Sequence, residues 1–327
     1  MSVFSRILIV RTGALGDLIL TSGVIERIRK GNPDAHITIA GNVEFLPLVQ
    51  NYVDSIISFE SPMLRPYFLR DECKPGKEDS ANLGAPEDRL PFDLAYVWLK
   101  DINDPFIQNL RRSGIKVFAA PSFQTNGEIH QAAFLSKILD QDPAMHNLSG
   151  STADRVTGRL TLRLPNASEI LESRGPGTHR IAIHSGAGSM RKRWPLERFQ
   201  ALARLLQQNR NADVYWIVGP AEFEHGSASA ADLPVGHVVR SDIVPLAYFL
   251  RTIDLFVGND SGVTHLARAL GIETIALFGP TDPTIWAPQG ARVLHCAGPD
   301  GRPDASVQDV LDLASGLLSM KVHDTHR

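Results

Sequence analysis

Residues 253–290 read IDLFVGNDSGVTHLARALGIETIALFGPTDPTIWAPQG, and this stretch decides the fold. An apolar run from Ile253 to Val257, broken only by Asp254, turns at Gly258-Asn259-Asp260-Ser261-Gly262. A short helix is predicted from Thr264 to Leu270, with Gly271 placed where a left-handed residue ends a helix. A second apolar run, Thr274 to Phe278, leads into Gly279-Pro280-Thr281-Asp282-Pro283. Strand, turn, helix and strand make a βαβ unit. In open parallel sheets ligands sit at the carboxyl ends of strands, where a helix N-terminus offers free N–H donors to phosphate. Asp260 and Ser261 also serve as helix N-caps, and His265 alone reads as an ordinary hydrogen-bonded histidine. It is the density, N-D-S-G-x-x-H on one turn and G-P-T-D-P at the next strand end, that points to a site.

Moving outward towards the N-terminus, the pattern repeats. Strands are expected at Arg180–His184 and Val214–Val218, with helices at Leu196–Gln208 and Pro245–Thr252. The small-residue loop Ser185-Gly186-Ala187-Gly188-Ser189 lets a phosphate approach the backbone. Lys192 and Arg193 follow with positive charge, and Pro195 stands near the start of the next helix. Glu222, after the strand ending Val218-Gly219, could accept hydrogen bonds from a ribose diol. Lys192, the helix after Gly262 and this loop together suit a diphosphate, and stabilising its charge is the main task if it is a leaving group.

The first half is a second α/β pattern. Strands are expected at Arg6–Val10, Ala35–Ala40, Ser55–Phe59, Phe92–Leu99 and Ile115–Ala119, and helices at Leu18–Lys30, Pro105–Arg112 and His130–Leu139. The loop Arg11-Thr12-Gly13-Ala14-Leu15-Gly16-Asp17 lacks the full G-x-G-x-x-G, so a dinucleotide fingerprint is incomplete. Position alone favours Asp17 as a cap or dipole partner of the first turn; its functional alternative is a carboxylate facing a cleft, the leading general base of this half. Residues 61–90 read as a long surface excursion. Asp140-Gln141-Asp142 has the form D-x-D but runs into Pro143, so it reads as a helix stop, and no metal site is expected. G-x-S-x-G does not occur, which removes the common serine-hydrolase signature.

With 327 residues the chain suits two domains: 1–165, a linker at 166–179 rich in Pro and Gly, 180–304, and a final helix and tail at 305–327 that could return to the first domain. A hydrophobic content of 43% with 21% charged residues is that of a globular protein, and a net charge of -3 argues against general nucleic-acid binding. Cys73 and Cys296 suggest neither a disulfide framework nor a metal cluster. The start MSVFSRILIV runs straight into Arg11 without a cleavage site, and no transmembrane segment is expected, so the cytoplasm, or the inner face of the cytoplasmic membrane, is the expected location.

Three blocks then carry a resemblance: RILIVRTGALGDLILTSGVIERIRK, HSGAGSMRKRWPLERFQALA and DLFVGNDSGVTHLARALGIETIALFGPTDPTIWAP. In this order and spacing the chain resembles the ADP-heptose:lipopolysaccharide heptosyltransferases of glycosyltransferase family nine. The resemblance implies a GT-B fold, two Rossmann-like domains facing a cleft, with an ADP-sugar held mainly by the C-terminal one and inverting transfer without an essential metal. It implies Asp17 as the base for the acceptor hydroxyl and Lys192 at the donor phosphates. Glu222, with Glu224 as the alternative, is placed near the ribose, and Asp260, Ser261, Gly262 and His265 around the diphosphate and sugar. Ser185 and Gly186 join the donor site, and Thr12, Gly13 and Gly16 stand where donor or acceptor would touch them. The implied acceptor is a lipid-linked lipopolysaccharide core saccharide. Two other readings stay open: a relative using another nucleotide sugar or another glycan or protein acceptor, and a non-catalytic nucleotide-binding protein.

Overall fold

The computed structural model describes residues 4–68, 91–125, 127–148, 178–219, 236–239 and 241–324. The chain divides into two compact units, Met1–Gly158 and Arg159–Arg327. Among the described residues no helix is long and apolar enough to cross a membrane.

The first unit is built on a parallel sheet of β1 (Arg6–Arg11), β2 (His36–Gly41), β3 (Ser55–Ser58), β4 (Leu94–Leu99) and β5 (Lys116–Pro121), in the order β3-β2-β1-β4-β5. Ile7, Leu8, Ile9 and Val10 are wholly buried, as are Leu94 to Trp98, because central parallel strands are covered on both faces. The helix α1 (Leu15–Gly31) starts three residues earlier than its apolar pattern suggests and buries Leu18, Ile19, Val24, Ile25 and Ile28. Arg11 belongs to β1 and not to the loop, since its backbone pairs with Gly41 and Trp98. After β3 the chain does not run out onto the surface at Ser61 as expected: a 3-10 helix, Pro62–Tyr67, inserts Leu64 and Tyr67 into the core, and residues 69–90 lie outside the described residues.

The helix expected at His130–Leu139 splits into α3 (Gln131–Ser136), which follows α2 (Pro105–Arg112), and a 3-10 turn, Lys137–Gln141. Asp142 ends that turn, as its place in Asp140-Gln141-Asp142 suggests, and is itself buried. Its carboxylate accepts from the Tyr96 hydroxyl and from the Ala144 N–H. Burial, and then Asp142, push the Tyr96 hydroxyl far above its usual value, so this pair is a buried structural contact.

The second unit repeats the scheme with β6 (His179–His184), β7 (Ala212–Ile217), β8 (His237–Val239), β9 (Leu255–Asn259), β10 (Glu273–Phe278) and β11 (Arg292–His295), in the order β11-β10-β9-β6-β7-β8, all parallel. Helices α4 (Leu196–Arg210), α5 (Ile243–Leu250), α6 (Gly262–Ala269) and α7 (Pro283–Trp286) connect the strands, and α8 (Val307–Asp324) follows β11. Gly271 is left-handed, φ +85°, as its position after α6 requires. Residues 166–177 of the expected linker lie outside the described residues, and the helical end of the sequence corrects the expectation of a return to the first domain. Val310, Leu311, Ala314, Leu317 and Leu318 pack into the second unit's own core with Trp194, Phe199 and Leu202, because this apolar face completes the side of the sheet that α4 covers only in part.

Candidate active site

In each sheet the first strand, β1 or β6, has its successor on one side and a later strand on the other. This is the switch point at which the loops diverge and leave room for a ligand. Among the described residues, those singled out from sequence follow the carboxyl ends of β1, of β6 and of its neighbour β9.

In the first unit β1 runs through Arg11 into Thr12-Gly13-Ala14, and α1 begins at Leu15. Gly13 has φ +118°, and a Cβ there would lie 2.5 Å from Asp17 Oδ2. Only glycine fits. Asp17, in the first turn of α1, accepts the Ala14 N–H through Oδ2 at 2.9 Å. Its Oδ1 accepts from Arg11 Nη2 at 3.2 Å; the arginine side chain is 1% exposed while that of Asp17 is 37% exposed. The cap reading and the functional reading of Asp17 are therefore compatible. The carboxylate caps the loop and still presents itself to solvent at the positive end of a 17-residue helix. A shallow surface depression here is lined by Thr12, Gly13 and Ala14 and, after β2, by Asn42, Phe45 and Leu46. Gly16 is half-buried within the first turn of α1.

In the second unit the loop after β6 and the turn after β9 are sewn together. Asn259, fully buried at the end of β9, donates through Nδ2 to the carbonyl of Ser185 at 2.8 Å and to that of Gly186 at 3.5 Å. Its Oδ1 accepts the Trp194 N–H at 2.9 Å. Lys192, on the same loop, places Nζ 2.7 Å from Asp260 Oδ2, and the Thr281 hydroxyl donates to that oxygen, also at 2.7 Å. Arg193, which the sequence offers as a second positive charge, instead binds the Ala187 carbonyl at 3.3 and 3.1 Å and closes its own loop. Ser261 is the N-cap of α6 and accepts from the Thr264 N–H at 3.4 Å. Gly262 opens the helix, and His265 is buried one turn in. Ser185, Gly186, Lys192, Asp260, Ser261, Gly262 and His265 thus lie on two adjacent strand ends, β6 pairing with β9 at His184 and Gly258. Glu222 lies outside the described residues.

Sequence reasoning assigned no role to Arg11, Thr21, Asn259 or Thr281. Asn259 and Thr281 sit inside the quoted motif, and a buried amide closing an apolar strand is a signal worth reading. The partners of Asn259, at Ser185 and Trp194, and that of Asp260 at Lys192 are far away in sequence, so those contacts were not readable; Thr281 reaches Asp260 within the motif itself.

Solved structures share this architecture over nearly all of both chains. One is E. coli ADP-heptose lps heptosyltransferase II, with TM-score 0.69, 16% identity, 97% of this chain and 99% of that one covered. Another is a glycosyl transferase family 9 protein from Veillonella parvula, with TM-score 0.72, 18% identity and coverage of 98% and 99%. An E. coli heptosyltransferase solved with ADP gives TM-score 0.65 at 16% identity, covering 95% and 99%. The fold is therefore the GT-B class of two parallel-sheet α/β domains. In sequence, lipopolysaccharide heptosyltransferase 3 of Escherichia coli is 24% identical over 309 residues, 86% of this chain and 85% of that protein. The model of glycosyltransferase family 9 (heptosyltransferase) matches residues 108–314, and the chain belongs to that family of glycosyltransferases.

Proposed function

We propose that the protein transfers heptose from ADP-heptose to a lipopolysaccharide inner-core acceptor with inversion at the anomeric carbon. The observation that carries this reading is Asp17: a carboxylate fixed by two polar contacts at the end of β1 yet 37% exposed, on a loop that tolerates only glycine beside it. Asp17 takes the proton of the acceptor hydroxyl as its oxygen bonds to the anomeric carbon. The bond from that carbon to the diphosphate breaks in the same displacement, ADP leaves with the electron pair, and a single displacement inverts the configuration.

In the second unit, Lys192 and the N–H groups at the start of α6 stabilise the negative charge that ADP acquires. Ser185 and Gly186 form the backbone wall for the phosphates, and Asp260 and His265 face the diphosphate and sugar. Glu222 holds the ribose, and Thr12, Gly13 and Gly16 line the approach to the base. The matched relatives support the reading, being lipopolysaccharide heptosyltransferases, one of them solved with ADP. A lipid-linked acceptor would bring the enzyme to a membrane surface as a peripheral protein. The test is Asp17→Asn, which keeps shape and one acceptor oxygen. Transfer should fall by at least about 10²-fold, the usual worth of a general base, while calorimetric affinity for ADP stays at the wild-type value. Transfer at the wild-type rate would remove Asp17 from the role.

A further inference from the structure

Arg11 is a permanent positive charge sealed inside the first unit, its side chain 1% exposed. Its donors all end on one short stretch of chain. Nε reaches Thr21 Oγ1 at 2.8 Å and the Asp17 carbonyl at 3.3 Å, Nη1 the Thr12 carbonyl at 3.4 Å, and Nη2 the Asp17 carboxylate at 3.2 Å. Thr21 is buried and donates its own hydroxyl to the Asp17 carbonyl at 2.7 Å. The other end of the arginine is locked in β1, where its carbonyl passes so close to Gly41 that a Cβ there would lie 2.2 Å away.

A guanidinium is a planar fork, and here it grips the main chain and the carboxylate of one residue together. Leaving such a charge buried and unpaired is costly, so Asp17 has one strongly favoured place, with Oδ1 on the fork and Oδ2 on the Ala14 N–H. Thr21 closes the triangle by accepting from Arg11 and donating to Asp17. We infer that Arg11, with Thr21 as its bridge, is a positioning residue for transfer that holds the Asp17 carboxylate at the angle from which it meets the acceptor hydroxyl. This inference rests on the reading of Asp17 as the general base. A purely structural tie between β1 and α1 would use the same contacts, and the two differ in one respect. A tie affects the rate with or without the carboxylate, whereas a positioning residue acts only through it.

The experiment is steady-state transfer with ADP-heptose and heptose-free lipopolysaccharide core as probes. It compares wild type with Arg11→Met, Thr21→Val, Asp17→Asn and the Arg11→Met/Asp17→Asn double variant. Arg11→Met should lower kcat by about 10²-fold, the size expected when a reacting group is misplaced by an ångström, with the KM for the donor unchanged. Thr21→Val, which preserves shape, should lower kcat less. The double variant should be no slower than Asp17→Asn alone. A further loss in the double variant equal to that of Arg11→Met in the wild-type background would overturn the inference. So would full kcat in Thr21→Val, which decides the matter if Arg11→Met fails to fold. If instead Asp17→Asn itself retains wild-type kcat, it is the base assignment that fails.

Discussion

Lys192 is the residue whose chemistry depends most on its company. Its ammonium sits on Asp260 Oδ2, an oxygen that also accepts from Thr281, and the carboxylate is 8% exposed. A diphosphate arriving at α6 would offer this ammonium a second anion of higher charge. Lys192→Ala should therefore weaken ADP binding by about tenfold, or about 1.4 kcal/mol, in calorimetric titration. Thr281→Val should cost about 1 kcal/mol of stability by removing a half-buried hydroxyl partner of Asp260, measured by thermal unfolding, while leaving Lys192 on Asp260. Unchanged ADP affinity in Lys192→Ala would mean that this charge serves the fold alone. At this scale the sequence was informative about identity and silent about pairing. Asp17, Lys192 and Asp260 stand out by residue type and position, but Arg11 stands in the sequence only as the first residue of a loop. What distinguishes it is burial among Thr12, Asp17 and Thr21, a three-dimensional fact.

The elements share a device at the opposite edge of each sheet. Aspartates immediately before β3, β4 and β9 accept main-chain N–H groups of the neighbouring strand: Asp54 from Ile37, Asp93 from Arg6, Asp254 from Arg180. Burial works against ionisation of Asp93. The Ser5 hydroxyl, the N–H groups of Arg6 and Ser5 and the Arg6 side chain outweigh it and hold the carboxyl below the usual range. Asp54 is likewise held low: burial again opposes, and the Ile37 N–H and Arg29 prevail. A depressed folded-state pKa adds stability above the unfolded value, which is lost as pH falls through the folded one. The thermal midpoint should therefore drop as pH falls below about 4, the ordinary carboxylate range. Asp93→Asn should lower the midpoint at pH 7 and flatten that acid slope. A slope identical to wild type would show that Asp93 contributes nothing to it.

Most strands were legible because RILIV, LAYVWL and TIALF are runs that only a doubly covered strand needs. β11 was not, since Arg-Val-Leu-His is four residues long with both ends exposed, the mark of an edge strand and also of a loop. The start of α1 was misplaced because Leu15, Gly16 and Asp17 carry no helical periodicity of their own. Their conformation comes from Gly13 and from Asp17 reaching back to Ala14.

At the scale of the whole molecule, two units of one design divide the work the account assigns. Each is a parallel sheet with its first strand at the switch point. The first unit ends that strand in a carboxylate and the second in a loop carrying an ammonium beside a helix N-terminus. The two-domain class was readable from the recurrence of strand, glycine-rich turn and helix in each half. The allegiance of α8 was not, because an amphipathic helix after a finished sheet fits either body. Only the packing of Val310, Ala314 and Leu318 on the second core decides it. The central claim is inverting transfer from an ADP-sugar, and the most direct test is the product itself. The protein would be incubated with ADP-heptose and heptose-free lipopolysaccharide core, and the anomeric configuration of the new linkage read by nuclear magnetic resonance as ADP is released. The account predicts one linkage formed per ADP, with configuration opposite to the donor's. Retained configuration, or no transfer from ADP-heptose alongside transfer from a uridine diphosphate sugar, would contradict it.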